Sequence, residues 1–186
     1  MSILNFEHSR RALIADFVFY AASIPALLLL LWLACPATAR LTALLLLVLG
    51  LLAASAIEYG IHRYILHGVA PFSDWHKQHH ARPQARIGTP TVVSALLIYL
   101  LVFCPALMFL PFFQALALTL GGVIAYFVYI VTHHATHHWH GSSRWLRTRK
   151  RWHALHHGAY SERCYGVSSA LWDHLLGSVP PARVRK

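Results

Sequence analysis

Residues 91–137 read TVVSALLIYLLVFCPALMFLPFFQALALTLGGVIAYFVYIVTHHATH. The first 42 of these carry no charged side chain. A bilayer span needs about 20 apolar residues at 1.5 Å rise. The block is therefore long enough to cross a membrane twice, turning near Pro111. A turn at Cys104-Pro105 is the alternative and would shorten the third helix. The block stops abruptly in a run of histidines.

Two further apolar blocks lie upstream. Residues 12–34 hold one charge, Asp16, and residues 41–57 hold none, the second block extending through Glu58–Ile61. Each suits one crossing. The reading is an all-α integral membrane protein with four transmembrane helices in two hairpins, at about 12–34, 41–61, 91–110 and 112–132. The remaining segments, 62–90 and 133–186, form a helical, histidine-rich cytoplasmic cap, and residues 1–186 make a single membrane domain. A soluble class is excluded because 57% hydrophobic residues with only six acids are gathered in blocks rather than spread as a soluble core needs.

The basic residues set the orientation. Of sixteen Lys and Arg, only Arg40 falls in the loops of the other side. Arg10, Arg11, Arg63, Lys77, Arg82, Arg86, the run from Arg144 to Arg151, Arg163 and the tail share one side. By the positive-inside rule that side, with both termini, is cytoplasmic. This explains most of the net charge of +10. The run Arg147-Thr148-Arg149-Lys150-Arg151 is read as meeting anionic lipid headgroups or an acidic redox partner, not nucleic acid. Thirteen Arg against three Lys, with heavy Ala and Leu use, point to a GC-rich bacterial source and so to an inner membrane. Residues 1–11 show no cleavage pattern, and the first apolar block is long enough to stay as a span. Cys35, Cys104 and Cys164 have no metal-finger spacing and are read as apolar filler.

The histidines carry the chemistry. Ten of the fifteen fall in four clusters: His62 and His67; His76, His79 and His80; His133 and His137; His153, His156 and His157. Each cluster follows an apolar hairpin or the segment after it, so each half of the chain supplies five. Residues three and four apart share a helix face, which puts three imidazoles on one stripe in the second and fourth clusters. His62 and His67 differ, because five residues rotate roughly 140° around an ideal helix. They serve different metals, or the helix end loosens there. The third cluster has two registers, since His134 with His137 and His138 also fits. Ten nitrogens at five per ion would hold two metals. Glu58, one turn before His62, and Asp74, two residues before His76, can orient a ligand by accepting its other ring N–H. His8 and His174 read as surface residues, and Trp139, Trp145, Trp152 and Trp172 as interface anchors.

The motif order resembles the fatty acid hydroxylase superfamily, also called the sterol desaturase family. The resemblance runs through Glu58-Tyr59-Gly60-Ile61-His62-Arg63-Tyr64-Ile65-Leu66-His67 and His76-Lys77-Gln78-His79-His80. It continues through Thr132-His133-His134-Ala135-Thr136-His137-His138 and Trp152-His153-Ala154-Leu155-His156-His157 to a tail from Tyr165 to Gly177. The tail and the His133-x3-His137 register look most like the fatty acid 2-hydroxylase branch. On that similarity His133 and His137 are preferred, with His134 and His138 as alternative ligands, and Asp173 in the tail joins the candidate supporting carboxylates. Two positions depart from that branch: His134 stands where Tyr is frequent, and Ile130 where an Asp often precedes the motif.

The resemblance implies two iron ions activating dioxygen to hydroxylate a lipid, in this branch at the acyl 2-position; zinc can substitute in a purified sample. No cytochrome b5 domain lies in these residues, so the electron donor is expected to be separate, cytochrome b5-like or ferredoxin-like. A sterol, carotenoid or headgroup hydroxylase, or a desaturase, would use the same motifs. A membrane haem protein would leave most of the histidines unexplained, and a zinc transporter would place its site near the midplane.

Overall fold

The structure is a computed structural model and describes residues 7–181. The tail cations Arg183, Arg185 and Lys186 lie outside the described residues. The described chain is helical, with one isolated antiparallel bridge between Glu7 and Ile87. The helices are α1 Arg10–Ala34, α2 Arg40–Gly60, α3 Phe72–Ala81, α4 Thr91–Ile98, α5 Cys104–Phe109, α6 Phe112–His138, α7 Arg144–His157 and α8 Leu171–Leu175. Two π-helical turns, Ile61–Leu66 and Tyr99–Phe103, extend α2 and join α4 to α5.

Four helical stretches are long and apolar enough to cross a membrane: Arg10–Ala34, Ala37–Leu66, Thr91–Phe109 and Phe112–His138. This is the expected number of spans, and the turn falls at Leu110-Pro111 as read first. Cys104-Pro105 does not turn the chain. Proline suits the first turn of a helix, where its missing N–H is not needed, and Pro105 sits at the start of α5 behind the π turn. Many large apolar side chains on these helices are exposed, among them Leu33, Leu101, Met108 and Phe109. Such a surface suits lipid rather than water.

The described residues form two compact units. One comprises 7–55 and 86–127 and contains most of the spanning helices. Inside it α2 and α6 touch backbone to backbone. A Cβ at Gly50 would collide with the Leu118 carbonyl oxygen, and one at Gly121 with the Leu47 carbonyl oxygen. Helices in lipid gain from this close approach, since no hydrophobic effect drives them together. Beside it Cys35, Ala43 and Ala117 form a small core against Leu31, Leu47 and Phe113. Tyr20 ties α1 to α4 through its hydroxyl on Ser94 Oγ at 2.8 Å. Asp16 is buried and bonded to Thr91. His8 departs from the surface reading, because its Nε2 is enclosed.

The second unit comprises 56–85 and 128–181. It holds the end of α2 with its π turn, α3, the last turns of α6, α7, and the loop leading into α8. All ten singled-out histidines belong to it.

Candidate metal centre

The π turn at Ile61–Leu66 resolves the odd spacing of the first cluster. An α-helix would set His62 and His67 on different faces. A π turn bonds residue i to i+5, so it stacks residues five apart. The two rings lie 5.3 Å apart, centroid to centroid, and serve the same group.

The three-histidine clusters divide. At 100° per residue, roughly 40° separates i from i+4, while i+3 lies about 60° to the other side. In α3, His76 and His80 go one way and His79 the other. In α7, His153 and His157 go one way and His156 the other. The result is two groups of five. The first is His62, His67, His76, His80 and His156; the second is His79, His133, His137, His153 and His157. Each takes four residues from one half of the chain and borrows one, His156 or His79, from the other half.

Within each group the facing nitrogens all lie within 4.8 Å of one another. In the first, Nε2 of His76 is 3.1 Å from those of His62 and His67 and 3.0 Å from that of His80, and His67 is 3.1 Å from His156. In the second, His133 and His79 approach to 3.0 Å and His153 and His137 to 2.7 Å. Imidazole nitrogens bound at about 2.1 Å and a right angle to one ion would stand about 3 Å apart. Converging lone pairs at this distance otherwise repel. The donor set therefore fits one ion per group. Both ring nitrogens of His157 are buried with no hydrogen-bond partner, and a bound ion would satisfy one of them.

The rings are held ready for an ion. His62 Nδ1–H donates to the Tyr165 carbonyl at 2.5 Å, and His156 Nδ1–H donates to the Arg163 carbonyl at 2.8 Å. A carbonyl only accepts, so each bond fixes the proton on Nδ1 and leaves the Nε2 lone pair facing the group. Burial, with the neighbouring histidines adding to it, pushes His79 and His156 down to about 3 and His157 to about 2. Burial also lowers His80 to about 4 and takes His76 and His153 well below their ordinary range. All are neutral at pH 7, the form that binds metal.

The carboxylates act at one remove. Asp173 is fully buried and accepts from Tyr165 N and Gly166 N, both at 2.9 Å, and from Ser178 Oγ at 2.7 Å. Glu58 accepts from Val167 N and Ser168 N at 3.0 Å and from the Ser168 hydroxyl. Together they hold the loop that aims the Tyr165 carbonyl at His62. A chain of donors supports Asp173, from Arg63 to the Tyr59 hydroxyl and on to Ser178, each at 2.7 Å. Gly166 is required there, because a Cβ would meet the Ser169 carbonyl and Asp173. Asp74 does not share this role. It is exposed and pairs with Lys77 at 3.2 Å.

His134 and His138 fall in neither group. They stack on each other at 4.5 Å between centroids, since one residue of offset turns a side chain about 100° from the His133 and His137 face. Residues the sequence did not single out also shape the site. The Tyr165 ring packs 5.4 to 5.7 Å from His67, His156 and His62. The Tyr129 ring lies parallel to His133 at 5.8 Å. Buried Arg149 bonds the Gly166 carbonyl at 3.4 Å and faces Glu58 and Asp173. Nothing in the run of cations around Arg149 distinguishes it from its exposed neighbours.

A helical protein with four apolar, membrane-length helices and two five-histidine groups defines a class: helical proteins of membrane-spanning character with paired histidine groups able to hold metal ions. Residues 47–178 match the fatty acid hydroxylase family, and the chain belongs to that family. It is 30% identical over 142 residues to a dihydroceramide fatty acyl 2-hydroxylase of Arabidopsis thaliana, covering 70% of this chain and 59% of that one. It is 31% identical over 143 residues to the fatty acid 2-hydroxylase of Homo sapiens, covering 69% of this chain and 38% of the human protein. The chain thus spans 59% and 38% of these relatives, less than two thirds of either. Among solved structures, the hydroxylase domain of scs7p shares the fold, with a TM-score of 0.74 at 22% identity over 91% of this chain and 67% of that one.

Proposed function

We propose that this chain is a membrane lipid hydroxylase that uses two iron ions, and that it acts at the 2-position of a fatty acyl chain. The observation that carries the reading is the pair of five-histidine groups, neutral and all-nitrogen, in a chain of the fatty acid hydroxylase family. Imidazole donors suit iron, copper, nickel and zinc. Five donors leave an octahedral ion one open position. The relatives, a dihydroceramide fatty acyl 2-hydroxylase and a fatty acid 2-hydroxylase, support the lipid substrate and the carbon.

His62, His67, His76, His80 and His156 would hold one ion, and His79, His133, His137, His153 and His157 the other. Iron bound there supplies dioxygen activation: a C–H bond, O2, two electrons and two protons give a C–OH bond and water. The chain's part is to hold and to exclude. The Tyr165 and Arg163 carbonyls keep His62 and His156 in the ligating tautomer. Tyr165 and Tyr129 close ring faces against water. The electrons come from a separate donor, cytochrome b5-like or ferredoxin-like. The asymmetry of Lys and Arg supports a cytoplasmic site and, with the composition, a bacterial inner membrane.

The test is to express the protein beside His156→Ala and compare membrane lipids by mass spectrometry. A lipid gaining one oxygen only with the wild type supports the reading, and fragmentation locates the carbon. A lipid losing two hydrogens makes the enzyme a desaturase. No lipid change with both metals loaded and donors of both kinds supplied overturns it.

A further inference from the structure

We propose that a recess beside α7 binds the phosphate of an anionic lipid headgroup. The recess is an open depression of about 520 Å³, lined by Arg144, Trp145, Thr148 and Arg149 of α7 and by Ser168, Ser169 and Ala170 of the closing loop. No acidic side chain lines it. Arg149 is only 6% exposed and is part of its lining. The acids near Arg149, Glu58 and Asp173, are already engaged by loop amides and hydroxyls. Arg144 is exposed at the rim, free to close on an anion. Ser169 Oγ accepts from Leu171 N at 3.3 Å, which leaves its own proton to donate. Two guanidiniums and a hydroxyl make a phosphate site, and Arg is the residue best shaped for it. Arg147, Lys150 and Arg151 on the same helix add positive potential.

The lining also has an apolar part. Trp145 presents an indole that is 53% exposed, and Ala170 a methyl group. The volume is far larger than one phosphate needs. An amphiphile uses both parts, with phosphate on the arginines and glycerol and first methylenes against Trp145. Basic pockets of this kind beside a membrane take lipid headgroups. The site also reaches the metal centre. Ser168, in the recess wall, gives its N–H and hydroxyl to Glu58, one turn before His62. A headgroup held by the Ser169 hydroxyl, next to Ser168, stiffens the loop that carries the Tyr165 carbonyl.

Native mass spectrometry of the full chain, purified from membranes in detergent, tests this without turnover, so its failure is separable from that of the hydroxylase reading. The wild type is expected to retain one phosphate-bearing lipid. Occupancy should fall about tenfold in Arg144→Gln and further in Arg144→Glu, the scale of one charge-assisted hydrogen bond. Arg82→Glu, an exposed change elsewhere in the same unit, should match the wild type. Delipidated protein should regain the bound mass from phosphatidylglycerol. Equal retention in the wild type and both Arg144 variants overturns the proposal. Restoration by inorganic phosphate alone, with no lipid retained, overturns the lipid as its source.

Discussion

Asp173→Asn isolates the loop's hold on one metal group. Asp173 is fully buried and accepts three hydrogen bonds, two from adjacent amides and one from Ser178. Asparagine keeps the shape but turns one accepting oxygen into a donor. With its NH2 in the Oδ2 place Gly166 N loses its acceptor, and in the Oδ1 place Tyr165 N and Ser178 Oγ both do, so at least one donor meets another donor. A buried unsatisfied group costs about 1–3 kcal/mol. Loss of the charge beside buried Arg149 adds to this, so about 2–4 kcal/mol is expected in all. That leaves many proteins folded, given total stabilities of about 5–15 kcal/mol. Alanine would leave all three donors without an acceptor and is expected not to fold. The strain in Asp173→Asn falls on the Tyr165 carbonyl and hence on His62, a member of the first group only. Removal of such supporting bonds lowers metal affinity by about 10–100-fold. Under chelator challenge, elemental analysis of the folded variant should show metal falling from two ions per chain toward one. Loss of both ions in parallel, or of neither, would refute the route from Asp173 through the loop to His62.

Three further outcomes follow from the geometry. His134→Ala and His138→Ala should leave metal content and activity within about twofold of wild type, since they stack outside both groups; His137→Ala should lose one ion, and elemental analysis separates the cases. Acid should destabilise the metal-free fold: His79, His80 and His156 are depressed in the folded state from about 6.5, so the unfolded chain takes up more protons between about pH 6.5 and 3. That stability is fully present above pH 6.5 and lost as pH falls through the folded values; melts of the metal-free protein at pH 7 and pH 5 should show it, and a higher melting temperature at pH 5 would contradict it. Gly121→Leu should destabilise by about 1–3 kcal/mol or more, because its side chain meets the Leu47 carbonyl where α2 and α6 touch, while Gly60→Ala, with open space around it, should be near neutral by thermal melt.

The local patterns were legible from the sequence. Uncharged blocks long enough to span a bilayer define four helices, because length and hydropathy act on each segment alone. Histidines at i, i+3 and i+4 define metal candidates for the same reason, and all ten gather in the second unit. Other features depended on distant contacts. Helical angle allows His76, His79 and His80 to share a stripe, but it does not say which of them meets His156 and which meets His133; packing of α3, α6 and α7 decides that. The π turn that unites His62 with His67 turns on one shifted backbone hydrogen bond, which composition does not encode. The sequence offered Glu58 and Asp74 by their place before His62 and His76, and Asp173 through the resemblance of the tail. The fold exposes Asp74, buries the other two against one loop, and gives the proton-fixing role to backbone carbonyls. Every residue has a carbonyl, so sequence type carries no mark of that role, and only tertiary structure brings those of Tyr165 and Arg163 to His62 and His156.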